Sequence, residues 1–143
     1  TAFTMEKITG KKLKMDQLFV GDRVFGVTPV QVDKGDISVL KTGDLVKVSG
    51  ITKGHGFQGV VKRHGFHGGP ATHGQKNRQR GPGSIGNTTP QRVIPGRRMA
   101  GHMGVDRVTI KNLKIVEINN DNKILFLYGA VPGNRGGRVE IKR

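Results

Sequence analysis

Apolar and polar positions alternate cleanly in several short stretches, and those stretches define the predicted elements. From Leu45 to Ile51, Val46, Val48 and Gly50 fall on one face and Leu45, Lys47, Ser49 and Ile51 on the other. That period of two belongs to a half-buried strand. Val20-Gly21-Asp22-Arg23-Val24 and Thr42-Gly43-Asp44-Leu45-Val46 each put a Gly-Asp turn before a strand. Arg107-Val108-Thr109-Ile110 starts another, Lys114 to Ile118 continues in β-branched residues, and Asn119-Asn120-Asp121-Asn122 is a turn. Lys123 to Tyr128 returns as the partner strand, and Arg138-Val139-Glu140-Ile141 is a last one. A short helix is expected only over Lys11 to Phe19. Short strands of this kind close into a small antiparallel barrel or stack as a sandwich, so the fold class is all-β.

The pattern fails in the middle. From Gly65 to Gly104 neither a 3.6 nor a 2.0 period holds, and Gly68-Gly69-Pro70, Gly81-Pro82-Gly83, Thr89-Pro90 and Pro95-Gly96 punctuate the run. A structureless stretch this long argues against a compact domain unless a partner orders it. Leaving and returning to the body, it would reach roughly 60 Å at about 3.3 Å per residue. The chain is therefore read as residues 1–50, the first part of the body; 51–104, a basic Gly- and His-rich extension; and 105–143, the strands that complete the body.

Composition sharpens this division. The chain has 143 residues, enough for one modest core, yet only 34% are hydrophobic and Trp is absent. Glycine, at 23 residues, leaves much of the backbone free to turn or approach a partner closely. The formal net charge is +15, and a polyanionic partner is the economical explanation. No carboxylate lies between Asp44 and Asp106, while that stretch holds ten Lys and Arg residues and all five histidines. Ordinary solvated surfaces mix signs; this segment excludes one and favours Arg, whose planar fork binds phosphate and stacks on bases. An anionic membrane would need an amphipathic basic helix or a long apolar run, and neither is seen. Without cysteine there is no disulfide framework or thiolate metal site. Thr1-Ala2-Phe3-Thr4-Met5 has no apolar leader core, and a first residue other than Met suggests a processed or partial chain. A cytosolic compartment is expected.

Three motifs could carry other chemistry. Gly54-His55-Gly56-Phe57-Gln58-Gly59 fits G-x-G-x-x-G, and Val61 extends it. A dinucleotide site needs a helix next, but Val60-Val61-Lys62-Arg63-His64-Gly65 reads as a strand with a stop, and the kinase signatures H-R-D and D-F-G are absent. His64, His67 and His73 suggest a metal or a nuclease, but the segment lacks Cys and carboxylates, and nearby cations oppose a divalent ion. Base stacking or bonds to phosphate and 2′-hydroxyls suit such histidines better. Phe57 is expected to be a core plug; Phe66 is either a plug or a stacking platform.

Several ordered segments carry a family likeness: Ser49-Gly50-Ile51-Thr52-Lys53-Gly54, Gly56-Phe57-Gln58-Gly59-Val60-Val61-Lys62-Arg63, Gly68-Gly69-Pro70-Ala71-Thr72-His73-Gly74, Pro82-Gly83-Ser84-Ile85-Gly86, Met99-Ala100-Gly101-His102-Met103-Gly104 and Gly129-Ala130-Val131-Pro132-Gly133. Over roughly the last hundred residues the chain resembles the universal L-three family of large-subunit ribosomal proteins, of bacterial type. The resemblance implies a translation-protein-type β-barrel on the subunit surface and an extension threaded into rRNA. It implies a structural part that supports assembly, with large-subunit (23S-type) rRNA and neighbouring ribosomal proteins as partners. No enzymatic activity, cofactor, metal, small-molecule substrate or membrane is implied. The location would be the cytoplasmic ribosome, or an organellar ribosome of bacterial type. The chain starts later than family members do, so it looks N-terminally short. A glutamine that many relatives carry just before Thr-Pro, and methylate, is Thr88 here.

The residues expected to bind rRNA are Lys53, His55, Lys62, Arg63, His64, His67, His73, Lys76, Arg78, Arg80, Arg92, Arg97, Arg98 and His102. By the resemblance, Gly83, Ser84, Ile85, Gly86, Asn87 and Thr88 form the extension tip near the peptidyl-transferase centre. A small His-dependent enzyme and a generic DNA- or membrane-binding domain remain the rival readings.

Overall fold

The computed structural model describes residues 7–143. Thr1–Met5, read above for a leader, lies outside them. The chain forms two compact units: residues up to Lys53 together with Val105–Arg143, and Gly54–Gly104.

The first unit is an antiparallel barrel. Its strands are β1 (Ile8–Lys12), β2 (Asp16–Val20), β3 (Arg23–Lys34), β4 (Leu45–Ile51), β7 (Arg107–Asn119), β8 (Ile124–Tyr128) and β9 (Arg138–Lys142). The order is β1-β9-β4-β7-β8-β3, and a β1–β3 pairing closes the ring of six; β2 adds to β3 outside it. The inward positions supply the core. Val30, Val46, Val48, Ile115, Leu125, Leu127, Val139 and Ile141 are wholly or almost wholly buried, which stabilises the barrel by roughly 1.5–3 kcal/mol per side chain. In β4 the buried residues are Val46, Val48 and Gly50, the face that alternation selects.

Two local features let the ring close. Gly10 sits at a register shift in β1, where a Cβ would come within 2.3 Å of the Gln31 carbonyl oxygen. Pro29 lies inside the long strand β3, where a missing N–H is normally costly. On that edge β3 changes partner from β2 to β1, and between the two the Pro29 carbonyl accepts from the Leu13 amide at 2.9 Å. The proline occupies the gap.

Lys12 secures the loop before β9. Its Nζ donates to the carbonyls of Val131 (2.6 Å) and Gly133 (2.9 Å). Burial, and secondarily the charge of Lys53, pushes its pKa below the usual lysine range.

The helix expected over Lys11 to Phe19 does not form. Lys11 and Lys12 end β1, and Asp16–Val20 is strand β2, paired with β3 from Asp16↔Val27 to Val20↔Arg23. Met15, Leu18 and Phe19 have the i, i+3, i+4 spacing of a helix face, but cross-strand partners override it. Among the described residues, no helix is long and apolar enough to cross a membrane.

Candidate nucleic-acid interface

The second unit is built with very little regular structure. At its base β5 (Gly56–Gln58) pairs antiparallel with β6 (Gly101–Met103), in the register Gly56↔Met103, Phe57↔His102 and Gln58↔Gly101. Phe57, expected as a core plug, is 76% exposed. Its strand has one short partner and no layer above it, so there is nothing for the ring to plug.

Val60–His64 is a single helical turn, α1, and not the strand that the Val-Val pair suggests. Extended Gly59 leads in, the Arg63 amide donates to the Gly59 carbonyl at 3.0 Å, and Gly65 stops the turn with φ of 72°. Glycine meets a left-handed position without strain. Only Val60 is buried, while Lys62, Arg63 and His64 crowd the last turn, where cations suit the helix dipole. A helix does therefore follow the G-x-G-x-x-G run. The dinucleotide reading still fails, because that site belongs to a βαβ unit of parallel strands, whereas β5 pairs antiparallel.

Arg63 and His64 tie the two ends of the unit together. Arg63 Nη1 donates to the Met99 carbonyl at 2.7 Å, and His64 Nε2 lies 2.9 Å from the same oxygen and donates to it in the Nε2–H tautomer. Gly101 lets the guanidinium in, since a Cβ there would meet Nη1 at 2.7 Å. Phe66 rests against the His64 ring with centroids 5.8 Å apart.

Beyond this clamp, Gly68 and Gly69 press onto the backbone of residues 78–80. The Gly69 amide donates to the Gln79 carbonyl at 2.8 Å, and a Cβ on Gly68 would approach that oxygen to 2.1 Å. In the amide orientation that satisfies both partners, Gln75 Oε1 accepts from the backbone N–H groups of Arg78 (3.1 Å) and Gln79 (3.0 Å). The fold here is held by backbone contacts and one amide, not by a core.

This knot shapes an open groove of about 1070 Å³. Phe66, His67, Arg78, Pro82, Ile85, Arg97 and Arg98 line it, with glycine backbone between them. Phe66, Arg97 and Arg98 also line a neighbouring hollow, together with Ile94, Pro95 and Gly96. A third hollow lies among Ser84–Thr88 and Gln91–Val93. No carboxylate occurs anywhere in the unit, so its eight Lys and Arg residues have no counter-charge within it.

Of the predicted residues, the structure gathers His67, Arg78, Arg97 and Arg98 around one groove, with Gly83, Ser84 and Ile85 on its rim. Arg92 lines the tip hollow with Ser84, Gly86, Asn87 and Thr88. Others lie apart: Lys53 belongs to the barrel unit. His55 and His102 sit exposed at the base, where the His55 amide donates to the Met103 carbonyl at 2.9 Å. Lys62, His73, Lys76 and Arg80 face solvent away from the groove lining. Among the described residues, no three His, Asp or Glu side chains converge as a metal site would need. Sequence reasoning missed Gln75 as a structural residue, because a lone amide carries no local signal. It left Phe66 undecided, though its place between His64 and His67 hinted at a shared surface.

The family profile described as Ribosomal protein L3 matches residues 28–130, most of the chain. The chain belongs to the ribosomal protein L3 family. Relatives in that family agree. One, from Thioalkalivibrio sulfidiphilus and named large ribosomal subunit protein uL3, is 49% identical over 107 residues, 74% of this chain and 50% of the relative. Another of the same name, from Chloroherpeton thalassium, is 46% identical over 132 residues, 92% of this chain and 58% of the relative. The uL3c protein of Guillardia theta is 51% identical over 108 residues, 75% of this chain and 52% of the relative. The chain thus spans about half the length of the L3 relatives it matches.

Proposed function

We propose that this chain is a structural, non-catalytic component of the large ribosomal subunit, and that its second unit binds large-subunit rRNA. The arginine-lined, carboxylate-free groove carries this reading. Arg78, Arg97 and Arg98 supply phosphate contacts there, and Phe66 and His67 offer flat faces to an unstacked base. Arg63 and His64 act through the clamp on Met99, which holds the two ends of the unit in register. The tip, Gly83 to Thr88, lies against the RNA around the peptidyl-transferase centre, and the barrel meets neighbouring ribosomal proteins. The ribosome is the site of action, in the cytoplasm or in an organelle.

The test is a salt titration of affinity for large-subunit rRNA against matched double-stranded DNA. If all eight cations of the second unit meet phosphates, log K falls with log salt at a slope of about −6 to −7. Preference for the rRNA, with loss of affinity in Arg97→Ser/Arg98→Ser, supports the reading. Equal binding to DNA, with no effect of that variant, refutes it.

A further inference from the structure

The barrel carries a second concentration of positive charge. On β1, β9, β4 and β7, which are adjacent in that order, alternate residues face outward. The register sorts those positions into three rows. The first holds Lys11, paired with Arg138, and Arg107, paired with Ile51. The middle row is Glu140, Ser49 and Thr109, joined by the pairs Ser49↔Glu140 and Ser49↔Thr109. The last holds Lys142, paired with Lys47, and Lys111 at the irregularity of β7 opposite Lys47. All six cations are exposed.

The one carboxylate of the three rows does not neutralise them. Glu140 pairs with Lys7 at 2.7 Å and with Arg107 of the first row, and among the described residues the other five cations of the rows have no ion-pair partner. Four strands make a wall roughly 14 Å wide, and the outer rows stand about 13 Å apart along the strands. Between them Ser49 and Thr109 present hydroxyls, hydrogen-bonded to each other at 2.8 Å. The rows contain no aromatic ring on which a splayed base could stack.

We infer that this wall is a second RNA-docking face, one that grips a double-stranded helix by its backbone. Two cationic rows bracketing a hydroxyl strip match the two phosphate strands that border the wide, shallow groove of A-form RNA, with its 2′-hydroxyls between them. The groove of the second unit takes unpaired nucleotides; the barrel wall takes duplex. The inference rests on the RNA-binding reading above, but it uses none of the same residues.

The experiment uses the full chain and three probes: a blunt RNA duplex of about 16 base pairs, an unstructured RNA strand of equal length, and phosphatidylserine vesicles. Lys47→Ser/Arg138→Ser/Lys142→Ser should lower the salt slope for the duplex by about 2–3 and leave single-strand binding unchanged. Arg97→Ser/Arg98→Ser should do the reverse. Glu140→Gln frees Arg107 and Lys7 and should tighten duplex binding, which keeps the test decisive if the triple variant does not fold. An unchanged duplex slope in the triple variant, or weaker duplex binding by Glu140→Gln, overturns the inference. So does an equal loss on vesicles, which would make the wall an anionic-membrane surface. A parent chain that binds neither RNA refutes the proposed function itself.

Discussion

The barrel and the Gly54–Gly104 unit solve opposite problems with the same chain. Among the described residues, the barrel holds every buried apolar side chain but one; the other unit's share is Val60. Seventeen cations share the barrel unit with all ten carboxylates, while eight sit in the other unit with none. Strand ladders support the barrel on both sides of each ring strand, whereas the second unit has one three-residue ladder, isolated turns, one clamp and glycine contacts. A chain that buries its own apolar surface can tolerate mixed charge. On the proposed reading, one that does not draws further order from RNA, which a carboxylate-free surface admits.

The largest expected effect contrasts the two units directly. Leu127→Ala, at a fully buried position, should lower barrel stability by about 2–5 kcal/mol in urea unfolding. Val93→Ala, at an exposed position, should change it by less than about 0.5 kcal/mol. Comparable losses would mean that the second unit has a core of its own. Next, Gly68→Ala forces a side chain onto the Gln79 carbonyl at a φ of 73°. It should cost that unit's folded form more than about 1 kcal/mol, seen as weaker rRNA binding at an unchanged barrel midpoint. Hydrogen exchange should show Gly65–Gly101 amides protected only when rRNA is bound, and β4 and β8 amides protected throughout. Early protection of both would erase the distinction.

The smallest effect is a pH dependence confined to the barrel. The Lys7 hydrogen bond, then Arg107, holds the Glu140 carboxyl below its ordinary range against the opposing pull of desolvation. Between the folded and unfolded values the unfolded chain binds more protons, so this stabilisation is present above the ordinary glutamate range and fades as pH falls through the lower folded value. Glu140→Gln should flatten that limb of the stability–pH curve.

Local pattern carried the strands whose two faces differ most. Alternation located β4, β7 and β9, which set valines, leucines or isoleucines against polar residues, and the Asn119–Asn122 turn located the wholly apolar β8. It failed at β2, where half-buried Leu18 and exposed Phe19 face opposite sides of a ribbon outside the ring. It failed at α1, where Gly59 and Gly65 decide the conformation and the β-branched pair does not. The groove was half legible. Charge marked its arginines, but Gln75 and the glycine contacts that shape it depend on residues far apart in sequence. The cationic wall was not legible at all, because positions 11, 47, 107, 111, 138 and 142 become neighbours only through the strand order.

That strand order also sets a timetable. β9, at Arg138–Lys142, lies between β1 at Ile8–Lys12 and β4 at Leu45–Ile51. A chain made from its N-terminus therefore cannot seal the ring until β9 has been translated. Until then β1 and β4 each expose a row of unpaired backbone groups, and joining segments so distant in sequence is slow. The Gly54–Gly104 unit comes out before β7, β8 and β9 exist, so its cations are available to an anion while the barrel is still open. On the proposed rRNA-binding reading, first contact during synthesis falls to the part of the molecule that has no core to wait for.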